Sequence, residues 1–330
     1  MKTITQSILI LVSVLLIVSC SDYNKILKGT DYDAKFDEAN RMYDKKMYDK
    51  AINLYEQVYQ YYPRTDKGEV SYFRLGEGFY FMKDYIMAGY YFGQFPSRFP
   101  VSEKNERVLF LKAICSVQNS PNYTLDQTET EIALNDLQNF VIRYPESQYV
   151  DSCNNIMDRL RLKIETKQFQ AVKLYDKMDD NRAAVASAKS FLEEYPQSTF
   201  LKQVAFIHFE NAYTLAINSV LSKKKERIED AMELYSKYYT LFIDENYSNK
   251  TKKHNDRLVV ELGKVNEQYA YNEIVEMYEA SHSSSMHKKT YYLEETIKKF
   301  NTFAKNYPNS DLLEKARSYF KKAERELGNS

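Results

Sequence analysis

Five times in this chain an aromatic residue is followed by proline, any residue, and then serine or threonine. The segments are Tyr62-Pro63-Arg64-Thr65, Phe99-Pro100-Val101-Ser102, Tyr144-Pro145-Glu146-Ser147, Tyr195-Pro196-Gln197-Ser198 and Tyr307-Pro308-Asn309-Ser310. Each lies between two stretches whose apolar residues recur at helical spacing. Proline has no N–H to continue the first helix, and the hydroxyl residue can accept a backbone N–H at the start of the second. The motif therefore predicts helices joined in series. The first four copies are roughly 37, 45 and 51 residues apart, the length of one helix pair with insertions.

The second interval is similar to the tetratricopeptide (TPR) pattern, with Tyr72, Leu75, Gly76, Phe79, Ala88, Phe92 and Pro100 in place. Gly76 and Ala88 mark where two helix backbones approach closely, and the aromatics fill the space beside them. The first interval carries Ala39, Met42, Ala51, Tyr55 and Pro63, the third Ala133, Leu137, Phe140 and Pro145, and the fourth Ala171, Tyr175, Ala184, Ala188, Phe191 and Pro196. A loop over 118–127 displaces the first helix of the third pair, and an unbroken helix is predicted over 149–177. Beyond Pro196 the pattern predicts helices over 200–221 and 226–242, with Lys223-Lys224-Lys225-Glu226-Arg227 as a solvated loop between them. A loose polar stretch over 244–256 comes next, then a helix over 257–280, a linker over 281–287 and a helix over 291–305. A closing amphipathic helix spans 311–327. The expected fold is all-α: a TPR-like helix-pair solenoid of about five to six repeats with a closing helix.

The first residues are a separate object. Lys2 precedes an apolar run from Ile8 to Val18, too short to span a bilayer, and Ile17-Val18-Ser19-Cys20 closes it. This is similar to a bacterial lipobox. It predicts a signal peptide over 1–19 and a lipidated Cys20, with 20–31 as tether, the solenoid over 32–243 and a further helix pair and closing helix over 244–330. Ser21 stands where an aspartate would, by analogy, hold a lipoprotein at the inner membrane. With 46 basic and 46 acidic residues, no overall field favours nucleic acid. Thirty tyrosines and no tryptophan suit thin helical layers, since tyrosine packs with its ring and keeps its hydroxyl wet.

Nothing in the sequence carries catalysis. There is no glycine-rich phosphate loop, Cys-x-x-Cys or His-Glu-x-x-His, so no enzyme, cofactor or metal site is expected. His282 and His287 bracket a serine-rich linker without further ligands, and His208 sits in an apolar helix as a packing residue. Cys115 and Cys153 fall on neighbouring helices, where either a disulfide or two buried free thiols fits.

The lipobox, the tether and the ordered helix pairs together resemble the BamD family, lipoprotein subunits of the β-barrel assembly machinery. Phe140-Val141-Ile142-Arg143-Tyr144-Pro145-Glu146-Ser147, Arg159-Leu160-Arg161-Leu162-Lys163 and Phe191-Leu192-Glu193-Glu194-Tyr195-Pro196 carry the likeness, which covers about residues 17–243. The resemblance implies an outer-membrane protein assembly factor, lipid-anchored on the periplasmic side. Its partners would be the POTRA domains of the barrel-forming subunit and the C-terminal targeting strands of unfolded barrel proteins, with other assembly lipoproteins left open. In the first two repeats the TPR groove positions are Phe36, Asn40, Tyr43, Phe73, Glu77 and Tyr80. They line either an aromatic-walled peptide groove or a packed helix interface. The alternative reading of the whole chain is a periplasmic TPR scaffold linked to cell-envelope or division machinery.

Overall fold

The computed structural model describes residues 22–283 and 286–328, and these are helices and their connections throughout. The predicted signal peptide, Ser21 and Cys20 lie outside the described residues. Two compact units divide the chain between Lys167 and Gln168.

The N-terminal unit holds a short helix α1 over 22–28, then α2 (Tyr32–Asp44), α3 (Tyr48–Tyr61), α4 (Asp66–Phe81), α5 (Tyr85–Arg98), α6 (Asn105–Asn119), α7 (Thr128–Arg143) and the start of α8 (Val150–Lys177). From α2 to α7 each helix packs on the next. The small residues that the repeat pattern singles out, Ala39, Ala51, Ala88 and Ala133, are buried, and Tyr55, Phe92 and Phe140 fill the space between them. At Gly76 an added Cβ would lie 2.5 Å from Cε1 of the Phe92 ring, so the glycine there is a packing requirement.

The C-terminal unit holds the end of α8, then α9 (Asn181–Glu194), α10 (Leu201–Ile217), α11 (Leu221–Tyr238), a 3-10 turn (Tyr239–Phe242), α12 (Glu245–His282), α13 (Met286–Asn306) and α14 (Leu313–Gly328). The fourth repeat turns Phe169 and Val172 inward, while Ala171 and Tyr175 lie toward the surface. Both units are helix-pair stacks, and α14 is the closing helix.

The aromatic-Pro motif separates helices as expected, but its hydroxyl caps directly in one copy only. Thr65 accepts from the Gly68 N–H at 3.2 Å as the N-cap of α4. The four serines act one turn earlier: Ser102, Ser147, Ser198 and Ser310 accept from the N–H two residues on, and the helix starts three residues after each. This serine turn leads the chain into the helix rather than capping it. Ser102, Ser147 and Ser310 also donate to a glutamate on the preceding repeat: Glu69 at 2.9 Å, Glu106 at 2.5 Å, and Glu267. One serine thus starts a helix and ties it to its predecessor.

Several expectations are corrected. The basic segment 223–227 is no loop: it lies in the first two turns of α11, where Lys224 pairs with Glu261 and Arg227 donates to Ser219. Residues 245–256 are helical, not loose. Asp244 caps them by accepting from the Asn246 N–H, and Tyr247, Thr251, His254 and Leu258 recur on one face. Tyr247 packs on Phe206, Thr251 and Leu258 are buried, and His254 stacks on Tyr213 at 3.9 Å while pairing with Glu210. The linker after α12 is shorter than expected, since α12 runs to His282 and α13 begins at Met286. Residues 22–28 form α1, not a polar tether, and Tyr23 is buried. Cys115 and Cys153 are buried free thiols, with burial pushing the Cys115 thiol up to about 12.

Candidate functional site

The first helices of the first three pairs, α2, α4 and α6, meet at one carboxylate. Glu77 of α4 is 5% exposed. It accepts the Tyr43 hydroxyl of α2 at 2.8 Å and the Arg107 guanidinium of α6 at 2.7 Å. Arg74, one turn back on α4, lies 3.5 Å from the same carboxylate and 3.9 Å above the Tyr43 ring. Burial raises the Tyr43 phenol, and the adjacent Glu77 charge raises it further, so the hydroxyl stays a donor at any physiological pH. Burial disfavours the charged Arg74 guanidinium, yet Tyr43 and Glu77 outweigh it and hold the group charged. Two arginines share this one carboxylate, so the three residues together carry one positive charge.

The other groove positions divide. Phe73 is almost wholly buried against Phe92 and Phe95, with the Arg107 guanidinium over its ring at 5.3 Å. Asn40 accepts the Tyr55 hydroxyl at 2.7 Å, so it faces the second helix of its own pair. Phe36 is half-buried with the Lys67 ammonium 5.7 Å from its ring. Tyr80 is half-buried between Phe81 and Tyr85. The sequence pattern named Tyr43 and Glu77 but not the bond between them. It missed Arg74 and Arg107, which occupy no TPR signature position. The only available signal was their basic character one helical turn from Glu77 and on the next first helix.

In the C-terminal unit a cavity of about 430 Å³ is lined by Val185, Leu215, Leu234 and His208, with Lys189, Arg227 and Lys237 at its sides. Burial lowers the His208 imidazole to about 4, with Lys237 and Lys189 adding to the effect, and its Nδ1 lies 3.2 Å from the Tyr238 hydroxyl. His282 is near Glu326, at 3.4 Å, whereas the side chain of His287 lies outside the description. Among the described residues no group of three or more His, Cys, Asp or Glu is placed to hold a metal ion. None of the described helices is long and apolar enough to cross a membrane.

Repeated helix pairs, joined across the first helices of the N-terminal unit, define an all-α helix-pair protein with a TPR-like arrangement. Residues 30–228 match the YfiO family of outer membrane lipoproteins, and the chain belongs to that family. The Caulobacter vibrioides protein called outer membrane protein assembly factor BamD is 23% identical over 175 residues, covering 53% of this chain. The chain spans 57% of that relative's length.

Proposed function

We propose that this protein is an outer-membrane protein assembly factor. In this reading it is anchored by lipid on Cys20 to the periplasmic side of the outer membrane. It binds the POTRA domains of the barrel-forming subunit and receives the C-terminal targeting strands of unfolded barrel proteins. The relative's name and the family match support the assembly role. One observation favours the strand-receiving part. The face built on α2, α4 and α6 combines half-buried aromatics, Phe36, Tyr43 and Tyr80, with two arginines that share one carboxylate. An extended peptide ending in an aromatic residue and a free carboxylate matches both properties.

Photo-crosslinkers at Phe36 and Tyr80 should trap such a peptide, and one at the exposed Tyr90 on α5 should not. Capture only at Tyr90 refutes the peptide groove. Depletion in cells tests the wider role: outer-membrane barrels should be lost. Intact barrels with a division defect would instead favour the envelope-scaffold alternative.

A further inference from the structure

We propose that the rim of the N-terminal unit carrying its α2–α3 and α4–α5 turns lies on a lipid bilayer, with Phe81, Met82 and Ile86 entering the headgroup region. The proposal rests on the lipidation of Cys20 put forward above and adds an orientation to it.

The argument starts from α1. Tyr23 is buried, its hydroxyl donates to the Lys50 carbonyl at 3.1 Å, and the Lys50 ammonium lies 5.3 Å from its ring. Lys50 is in the first turn of α3. Asp22 lines one hollow with Arg41, in the last turn of α2. Both place residue 22 beside the α2–α3 turn. Cys20 precedes it by two Cα steps, which reach at most about 7 Å. Acyl chains on Cys20 therefore put a bilayer surface next to this turn.

What the unit presents there suits a bilayer. Met47 is exposed at the α2–α3 turn, Phe81 and Met82 at the α4–α5 turn, and Ile86, 74% exposed, in the first turn of α5. Phe81 stacks on Tyr48 at 5.0 Å, which joins the two turns into one surface, and Ile86 and Ile132 line one hollow beside them. Exposed apolar side chains gathered at two adjoining turns ask for a partner, whereas single scattered ones do not. The exposed charges at the two turns cancel, Lys45, Lys46 and Lys83 against Asp44, Asp49 and Asp84. The contact is thus apolar in origin and insensitive to ionic strength. The opposite rim, where the chain passes from second helices to first ones, is tied by Ser102–Glu69 and Ser147–Glu106.

The chain has no tryptophan, so one introduced indole reports alone. Met82→Trp, Ile86→Trp and, as a control, Val101→Trp are compared in the full acylated chain, reconstituted in phosphatidylethanolamine vesicles with brominated acyl chains. Val101 is exposed just past the other end of α5, a 14-residue helix and so about 21 Å from Ile86. Bromine should quench the indoles at 82 and 86 about threefold more than at 101, in low and in high salt. Equal quenching at all three positions, or none at 82 and 86 in a chain whose mass includes the acyl chains, overturns the docking. An indole at 82 that shifts blue without quenching assigns the rim to a protein neighbour and also overturns it. A chain without acyl mass that fails to float with vesicles overturns the lipidation on which the proposal rests.

Discussion

Replacing Glu77 with glutamine removes a charge from the junction of α2, α4 and α6 while keeping the volume. Three contacts change. The Tyr43 hydroxyl keeps an acceptor but loses a charged one, a difference of about 1 kcal/mol. The Arg107 pair is lost, but that side chain is 57% exposed and water takes its place, so at most about 0.5–1 kcal/mol follows. Arg74, at 3.5 Å and partly shielded, adds a similar amount. Glu77→Gln should then cost roughly 2–3 kcal/mol, and Glu77→Ala about 3–4 because the Tyr43 hydroxyl also loses its acceptor. Urea unfolding followed by circular dichroism at neutral pH measures both. A double variant with Arg107→Leu should lose less than the sum of the single losses, since both remove the same pair. The reasoning predicts these losses without any peptide present. A Glu77→Gln chain as stable as the parent would refute the carboxylate's role as the tie between three helices.

Gly76→Ala sets a methyl 2.5 Å from the buried Phe92 ring and should destabilise by roughly 1–3 kcal/mol, and adding Phe92→Leu should recover part of the loss. His208 is neutral when folded, with a value of about 4 against 6.5, so its contribution is present above pH 6.5 and falls away as pH drops toward 4. The loss at pH 5 is about 2 kcal/mol, and His208→Gln should flatten that part of the stability–pH curve. Equal curves for parent and variant would contradict it. Cys115 and Cys153 should react slowly with thiol reagents in the folded chain, and unfolding should release the same thiol count with or without reductant. A higher count with reductant would indicate a disulfide.

The repeat pattern was legible because it records close packing. Ala39, Ala51, Ala88 and Gly76 are small because a neighbouring helix leaves no room, and such a constraint shows in one sequence. The same logic failed for 245–256. There the inward face is polar, with Thr251 donating to the Tyr247 carbonyl, Tyr247 packed on Phe206 and His254 paired with Glu210 of α10, contacts that no hydropathy pattern reveals. The basic run 223–227 misled for a related reason, since Lys224 finds its acid on α12, far along the chain. The groove positions Tyr43 and Glu77 were identified, but their joining through Arg74 and Arg107 depends on which helices become neighbours. The aromatic-Pro motif by itself predicts its serines as caps. That they also reach back to Glu69, Glu106 and Glu267 follows only from the stacking of one pair on the next.

Helix α12 is 38 residues long, about 57 Å of continuous backbone. Along its length it serves two clients, packing on α10 and α11 and also on α13 and α14. The match to the YfiO family ends at residue 228, inside α11, yet the helix next to that point is shared property. The C-terminal stretch is therefore grafted in rather than appended. A truncation at residue 243 would not return a tidy shorter protein: it would strip the cover from Phe209 and Phe242 and remove Leu258 and Val265 from the same core. The last helix pair and the fifth repeat should melt together, and shortening from the C-terminus has its first clean stop only beyond the part of α12 that faces α10.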